Sequence, residues 1–225
     1  MTDVATAAGT DARGTPPTRK GARTRARLVE AAKRIFERDG FLDARIVDIA
    51  EAADIAPGTF YHYFDSKEEI FREVAELQEA RLIAIPEHPL RAGESAMEEI
   101  RASTRLYLSR YRDEAALMRV IELVSRYDEY VSTARMATLQ HFFEQAEQNI
   151  RSLQRTGAVD RRLDAHLAAA ALGAMAARFA ELWLVQGYGN YDFDDAVEQL
   201  SRLSANALGL EDDTPKASRP RRSKR

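Results

Sequence analysis

The chain of 225 residues carries 33 basic and 36 acidic side chains, and its formal net charge of −3 gives no argument for a nucleic-acid partner. It has no cysteine, which excludes disulfides and thiolate chemistry and fits a reducing cytoplasm. Residues 1–22 contain no apolar stretch like that of a signal peptide. Charged residues, Arg178 and Glu181, interrupt the longest apolar run, residues 167–185. We therefore expect a cytoplasmic protein with a buried helix there rather than a membrane span.

The N-terminal region consists of a basic segment followed by an acidic one. Residues 1–22 are rich in Ala, Thr, Gly, Pro and Arg without an apolar period, which predicts a disordered basic arm. A helix is predicted over about residues 24–39, ended by Gly40. Residues 13–38 hold nine basic and two acidic residues, a net +7, whereas residues 39–71 hold two basic and eight acidic residues, a net −6. If this region binds DNA, the basic arm must supply much of the non-specific attraction.

Two short predicted helices joined by a tight turn follow, within residues 45–64. Apolar side chains recur at helical spacing up to Ala53, and Asp54 interrupts that helix. Ile55 is expected to fill the angle between the helices, and Pro57 suits the first turn of the second one because it needs no N–H there. This pattern is typical of a helix-turn-helix, whose second helix enters the major groove of DNA.

The second helix and its flanks hold the residues expected to contact DNA. Gly58 has no side chain, so the helix start can approach phosphates closely, and the neighbouring polar side chains reach base edges and phosphates. Lys67, at the start of the next helix, is placed for a phosphate, with a solvated surface charge as the alternative. The complete predicted set is Arg45, Gly58, Thr59, Tyr61, His62, Tyr63 and Lys67.

Each aromatic residue of this segment also has a structural interpretation. Phe60 and Phe64 are expected in the core of the domain. Tyr61 and Tyr63 could instead be half-buried packing residues, and His62 a plain surface residue.

The segment resembles the TetR family of transcriptional regulators. The resemblance lies in an apolar-x-Asp-Ile-Ala segment, a turn, and then residues 58–64 and 66–68, and it extends from Ala26 to Glu73. The rest of the chain is similar to the family in helix layout only. The resemblance implies the DNA contacts described above, a homodimer on a palindromic operator, and a small-molecule effector.

Two positions depart from the family pattern. Arg45 stands where the family commonly has Ser or Thr, so Asp43 is expected to cap the helix instead, and Arg45 to bind a phosphate or a guanine edge. The turn reads Asp54-Ile55-Ala56 where the family usually has Gly, an apolar residue and Ser. Asp tolerates a left-handed backbone less well than Gly, and Ala is a weak N-cap, so we expect a functional but less stable turn.

The remaining chain predicts further helices and no strand, hence an all-α fold. Capping boxes at residues 66–69 and 95–98 open two of the helices, and Asp113 and Asp164 are expected to cap two more. The predicted organisation is an N-terminal three-helix helix-turn-helix DNA-binding domain and a C-terminal helical domain for effector binding and dimerisation. Its bounds are 1–22 for the disordered basic arm, 23–71 for the DNA-binding domain, 72–210 for the C-terminal domain and 211–225 for a disordered basic tail.

Residues 167–185 are apolar or small on nearly all sides, so this helix must be covered all round. A symmetric dimer would cover it, with a central helix of a monomer as the alternative. The resemblance implies a four-helix interface formed by the last two helices of each chain.

Polar and aromatic residues among apolar ones suggest an effector pocket, although such residues are more often core. The candidates are Tyr107, Tyr111, Met118, Phe142, Phe143, Arg178, Phe179 and Trp183.

Signatures of enzymes are absent from the sequence. The four histidines are scattered without zinc-binding spacing, and no nucleophile elbow, phosphate-binding loop or dinucleotide fingerprint occurs. We therefore expect no metal, no cofactor and no catalysis. The predicted function is a ligand-responsive regulator, foremost a repressor with activation left open. The alternatives are a helical dimeric interaction module and a DNA-binding protein without a small-molecule effector.

Overall fold

A computed structural model of the chain describes residues 18–83 and 95–210, and every regular element in these ranges is helical. The all-α prediction is confirmed. The helices are α1 (Arg19–Asp43), α2 (Ile46–Ala52), α3 (Pro57–Phe60), α4 (Lys67–Ile83), α5 (Ala96–Asp113), α6 (Ala115–Val124), α7 (Glu129–Thr156), α8 (Ala165–Ala180) and α9 (Phe193–Leu208). A π-helical segment, Glu181–Val185, continues α8.

The described residues form two compact units. The first contains the chain up to Ile83 together with Tyr111–Gln140, and the second contains the remaining parts of α5 and α7 with α8 and α9. The domain boundary at residue 72 stays a prediction. The predicted basic tail and the first 17 residues of the predicted arm lie outside the described residues.

The core of the first unit is built on the apolar stripe of α1. Leu28, Ile35 and Phe36, which share one face of the helix by its period, are buried together with two alanines of the same stripe. The ring of Phe36 packs edge-to-face against Phe71 of α4 at 4.9 Å between centroids, and Phe41 contacts both rings. These aromatic contacts fix α1 against α4.

Helix α1 differs from its prediction at both ends. It begins at Arg19, where the Thr18 hydroxyl accepts a hydrogen bond from the Gly21 N–H at 3.1 Å, so residues 19–22 are helical rather than disordered. Gly40 has a φ of +75°, as expected for a residue that ends a helix, but helical turns resume after this kink and continue to Asp43.

Most of the helix caps predicted from the sequence are present in the structure. In the box at residues 66–69, the Glu69 N–H donates to the Ser66 hydroxyl at 3.1 Å, and Asp164 accepts from the Leu167 N–H at 2.9 Å. The expectation that Asp113 caps a helix is wrong, because α5 runs through Asp113 and α6 starts without a side-chain cap.

The second unit packs α7, α8 and α9 around small residues. Its buried cluster includes Ile150, Ala169 and Leu208. A Cβ added to Gly173 of α8 would lie 2.5 Å from the Phe143 ring of α7, so glycine permits the two helices to approach this closely. The helix over residues 165–185 is long and apolar enough to cross a membrane, yet only 22% of its apolar window is buried within one chain. The helix is therefore little covered within one chain, which disfavours the alternative of a central helix of a monomer.

Candidate nucleic-acid interface

Helix α3 and the turn after it combine buried aromatic rings with exposed polar side chains. Phe60 and Phe64 are almost completely buried, as predicted, and their rings lie 5.7 Å apart. Between them in the sequence, Tyr61 is 56% exposed and His62 is also exposed. The α-helical part ends at Phe60 and turns continue to Tyr63, so the recognition element is shorter than the predicted helix to residue 64. The buried rings thus determine which side chains face solvent.

The turn between α2 and α3 contains the strained residue expected from the sequence. Asp54 has a φ of +53°, and no other non-glycine residue in the described ranges has a positive φ. The Ile55 N–H donates to the Ala50 carbonyl at 3.0 Å. The Arg27 guanidinium of α1 donates to the Ala53 carbonyl and, at 3.2 Å, to the Asp54 carbonyl. Arg27 therefore holds a turn that lacks the usual glycine, a role that the sequence pattern did not indicate.

The strain at Asp54 gives a stability prediction. Asp54→Gly should raise the free energy of unfolding by about 0.5 kcal/mol, because the relief of a left-handed φ exceeds the added backbone entropy of the unfolded chain. Asp54→Ala should lower it by about 1 kcal/mol for the opposite reason. Urea denaturation of both variants checks the order, and an alanine variant as stable as the glycine variant would contradict it.

Arg45 occupies the N-cap position of α2 but makes no side-chain cap. Its guanidinium instead forms two 2.8 Å hydrogen bonds to the carboxylate of Asp48, which raise the pKa of Arg45. Asp43 lies in the last turn of α1, so the expectation that it caps α2 is wrong. Contact of Arg45 with a phosphate or a guanine stays a prediction, and it requires the guanidinium to share or exchange its Asp48 partner.

Lys67 has a structural role within the domain. Its ammonium donates to three backbone carbonyls, those of Phe41 at 2.7 Å, Ala44 at 2.9 Å and Leu42 at 3.1 Å. It also lies 4.8 Å from the centroid of the Phe41 ring. An ammonium has three N–H donors, so these bonds leave none for a phosphate in this geometry. Lys67 thereby ties the start of α4 to the segment that leads from α1 into α2.

Arg25 performs a similar task at the end of the recognition element. It donates to the Tyr63 carbonyl at 2.8 Å, pairs with Glu73 of α4, and lies 4.2 Å from the centroid of the Phe64 ring. Tyr63 is consequently half-buried and held through its backbone. Arg25 and Arg27, two of the nine basic residues between 13 and 38, thus bind partners within the domain, whereas Arg19, Lys20 and Arg23 are exposed at the start of α1.

The chain matches known proteins over this region. Residues 28–74 match the family model described as bacterial regulatory proteins, tetR family. The HTH-type transcriptional regulator TcmR of Streptomyces glaucescens is 33% identical over 115 residues, which cover 46% of this chain and 50% of TcmR. UidR of Escherichia coli, also an HTH-type transcriptional regulator, is 36% identical over 67 residues, which cover 30% of this chain and 34% of UidR. Over residues 28–74 the chain is therefore similar to the helix-turn-helix region of the TetR family.

The similarity in fold extends further than the similarity in sequence. The structure of the transcriptional regulator FadR from Bacillus subtilis, in complex with stearoyl-CoA, matches this chain with a TM-score of 0.66 at 19% identity, covering 80% of this chain and 96% of FadR. The sequence matches, in contrast, span half of TcmR and a third of UidR. The DNA-binding domain is therefore shared in sequence, and the remaining helices are shared in fold.

The candidate pocket residues are divided between the two compact units. Tyr111 and Met118 are buried in the first unit. The other six lie in the second unit, where they form separate contacts. Tyr107 packs against Phe142 at 5.7 Å, Phe143 lies on Gly173, Phe179 packs against Trp183 at 5.6 Å, and Arg178 pairs with Glu181 at 2.6 Å.

A buried polar group of the first unit has no recognisable signature in the sequence. Glu79 of α4, Glu122 of α6 and Arg135 of α7 interact there, close to Tyr111. Glu79 was missed because it lies on the inner face of an otherwise apolar helix, where a single acidic residue gives no recognisable pattern. Within the described ranges, no group of three or more His, Asp or Glu residues could hold a metal ion.

Proposed function

We propose that this chain is a transcriptional repressor of the cytoplasm that binds a palindromic DNA operator as a homodimer and releases it when a small-molecule effector binds. One observation carries the DNA-binding part. Tyr61 and His62, which the resemblance to the family places at DNA, are exposed in the turn that follows α3, while Phe60 and Phe64 beside them are buried. The exposed Arg19, Lys20 and Arg23 supply positive charge that the acidic helix-turn-helix lacks.

The central experiment measures binding to the DNA upstream of the chain's own gene by fluorescence anisotropy. Tyr61→Ala should weaken specific binding roughly 10-fold or more, because a base-reading contact contributes about 1–3 kcal/mol. Tyr127 is a matched control, since it is 60% exposed in the same unit but lies outside the helix-turn-helix. Tyr127→Ala should leave the affinity unchanged.

The result also decides between the proposal and an interaction module that has lost DNA binding. Specific complexes should weaken steeply as salt rises, because phosphate contacts release counterions. If the native chain forms no salt-dependent, sequence-dependent complex at micromolar concentration, the interaction module is the better description. A reporter gene placed under the control of this upstream DNA, assayed with and without the chain, distinguishes repression from activation.

Dimerisation is supported by the exposed face of α8. Leu167, Ala171, Ala174 and Arg178 follow one another at helical spacing, and Leu167 is 68% exposed. An apolar helix that is so little buried within one chain needs a covering surface, and a second copy supplies it with the same face.

Ala174→Glu should therefore convert the dimer into a monomer and abolish tight operator binding, because it places two like charges opposite each other across the interface. Analytical ultracentrifugation measures the mass. Ala102 is an exposed alanine on α5, so Ala102→Glu is the control and should remain dimeric. A dimer that survives Ala174→Glu would place the interface elsewhere.

The effector part of the proposal is supported by a protein of similar fold. FadR of Bacillus subtilis, which has the same fold, was solved with stearoyl-CoA, so the fold can accommodate a small molecule. A DNA-binding protein without an effector is the competing description. It predicts that no small molecule changes operator affinity.

A further inference from the structure

A buried polar group in the first unit combines side chains from four helices. Arg135 of α7 forms an ion pair with Glu122 of α6, and the Tyr111 hydroxyl, near the end of α5, donates to Glu122 at 3.4 Å. Glu79 of α4 is 5% exposed, lies near Arg135 and hydrogen-bonds the Thr138 hydroxyl. We refer to these five residues as the Glu79 cluster. All of them belong to the same compact unit as the helix-turn-helix.

The Glu79 cluster is incompletely paired. Among the described residues, Glu79 Oε1 and Arg135 Nη1 are buried without a hydrogen-bond partner. A buried polar atom left unpaired is destabilising, and native proteins keep few of them. The cluster also holds two carboxyl groups and one guanidinium, and that guanidinium is already paired with Glu122. A group that donates hydrogen bonds and carries positive charge would correct both deficits at Glu79.

We propose that the Glu79 cluster is the polar subsite for an effector that carries a protonated amine, with the ammonium donating to Glu79 and a nearby acceptor of the ligand receiving a bond from Arg135. This inference rests on the proposed ligand-responsive function and specifies the chemistry of the ligand. A carboxylate ligand would add a third acidic group beside a single guanidinium and would be disfavoured. The same helix carries Lys67 and Glu79, so a ligand bound at Glu79 acts on the helix that anchors the helix-turn-helix.

The test uses three probes that share one apolar chain and differ in head-group charge: octylamine, 1-octanol and octanoate. Isothermal titration calorimetry on the full chain at pH 7 should show octylamine binding most tightly and octanoate no tighter than octanol. Glu79→Gln should weaken octylamine binding at least 10-fold, and Glu79→Asp, which keeps the charge, should weaken it less. The ionised form of Glu79 is the one that binds an ammonium, and its pKa is about 7. Binding should therefore release about half a proton, seen as a buffer-dependent enthalpy.

The matched control is Glu76→Gln, which removes the same charge from an exposed position of the same helix and should leave octylamine binding unchanged. Circular dichroism confirms that each variant folds. The proposal is overturned if octylamine fails to bind at millimolar concentration, if octanoate binds as tightly, or if Glu79→Gln and Glu76→Gln behave alike. Operator binding without any probe is measured in parallel. If the native chain does not bind the operator, the regulatory function is overturned. If it binds the operator but not the amine, only this inference is overturned.

Discussion

Lys67→Met should lower the free energy of unfolding by about 2–3 kcal/mol, because one ammonium forms three hydrogen bonds to carbonyls at the C-terminal end of α1 and just after it. Methionine keeps the apolar part of the side chain but leaves these acceptors without their charged donor. The segment from Phe41 to Ala44 leads into α2, so its release should also weaken operator binding through misplacement of the helix-turn-helix. Urea denaturation of the native chain and the variant measures the effect.

A second variant separates this structural role from direct phosphate contact. Lys20 is exposed at the start of α1, so Lys20→Met should hardly change stability. If Lys20 contacts a phosphate, its loss should reduce the slope of log affinity against log salt concentration by about 1. Lys67→Met should show the opposite behaviour, a loss of stability with an unchanged slope. A Lys67→Met variant of native stability and reduced slope would instead support the phosphate contact predicted from the sequence.

Features encoded within a few residues were predictable from the sequence. Capping by Ser66 or Asp164 depends on a backbone N–H only three residues away, so the sequence pattern specifies both partners. The inner stripe of α1 follows in the same way, because the helical period alone decides which residues share a face. The burial of Phe60 and Phe64 beside an exposed Tyr61 likewise follows from their spacing along one short element.

Contacts between distant parts of the chain were not predictable in this way. Arg27 reaches a carbonyl 26 residues away, and Lys67 reaches back over 23 to 26 residues. A basic residue in a sequence has the same local pattern whether it binds a phosphate or a carbonyl, so the sequence predicts a phosphate contact or a solvated charge for Lys67 and no specific partner for Arg27. Asp113 is a related case, since a cap and the last turn of a preceding helix favour the same polar residue.

The Glu79 cluster is another set of contacts between distant parts of the chain that the sequence does not predict. It also determines how stability should depend on pH. Its side chains come from four helices, and no pair of them stands in a local motif. Burial is the main cause that raises the pKa of Glu79 from 4.5 to about 7, against the opposing effect of Arg135. The folded chain therefore holds this proton more tightly than the unfolded chain does. Its contribution to stability is complete below about pH 4.5 and is lost as pH rises towards about 7.

Glu79→Gln should remove this dependence. At pH 8 the variant should be more stable than the native chain, by up to about 3 kcal/mol for a shift of this size, less what the lost bond to Thr138 contributed. Below pH 4.5 the two should have nearly equal stability, because glutamine resembles protonated glutamate. Urea denaturation from pH 4 to pH 8 gives the difference curve, in which other titrating groups cancel. Glu76→Gln, at an exposed position, should give a flat difference. A Glu79→Gln variant that is less stable at pH 8 would mean that Glu79 is ionised and fully paired in the folded chain, and that its burial is structural rather than a site awaiting a ligand.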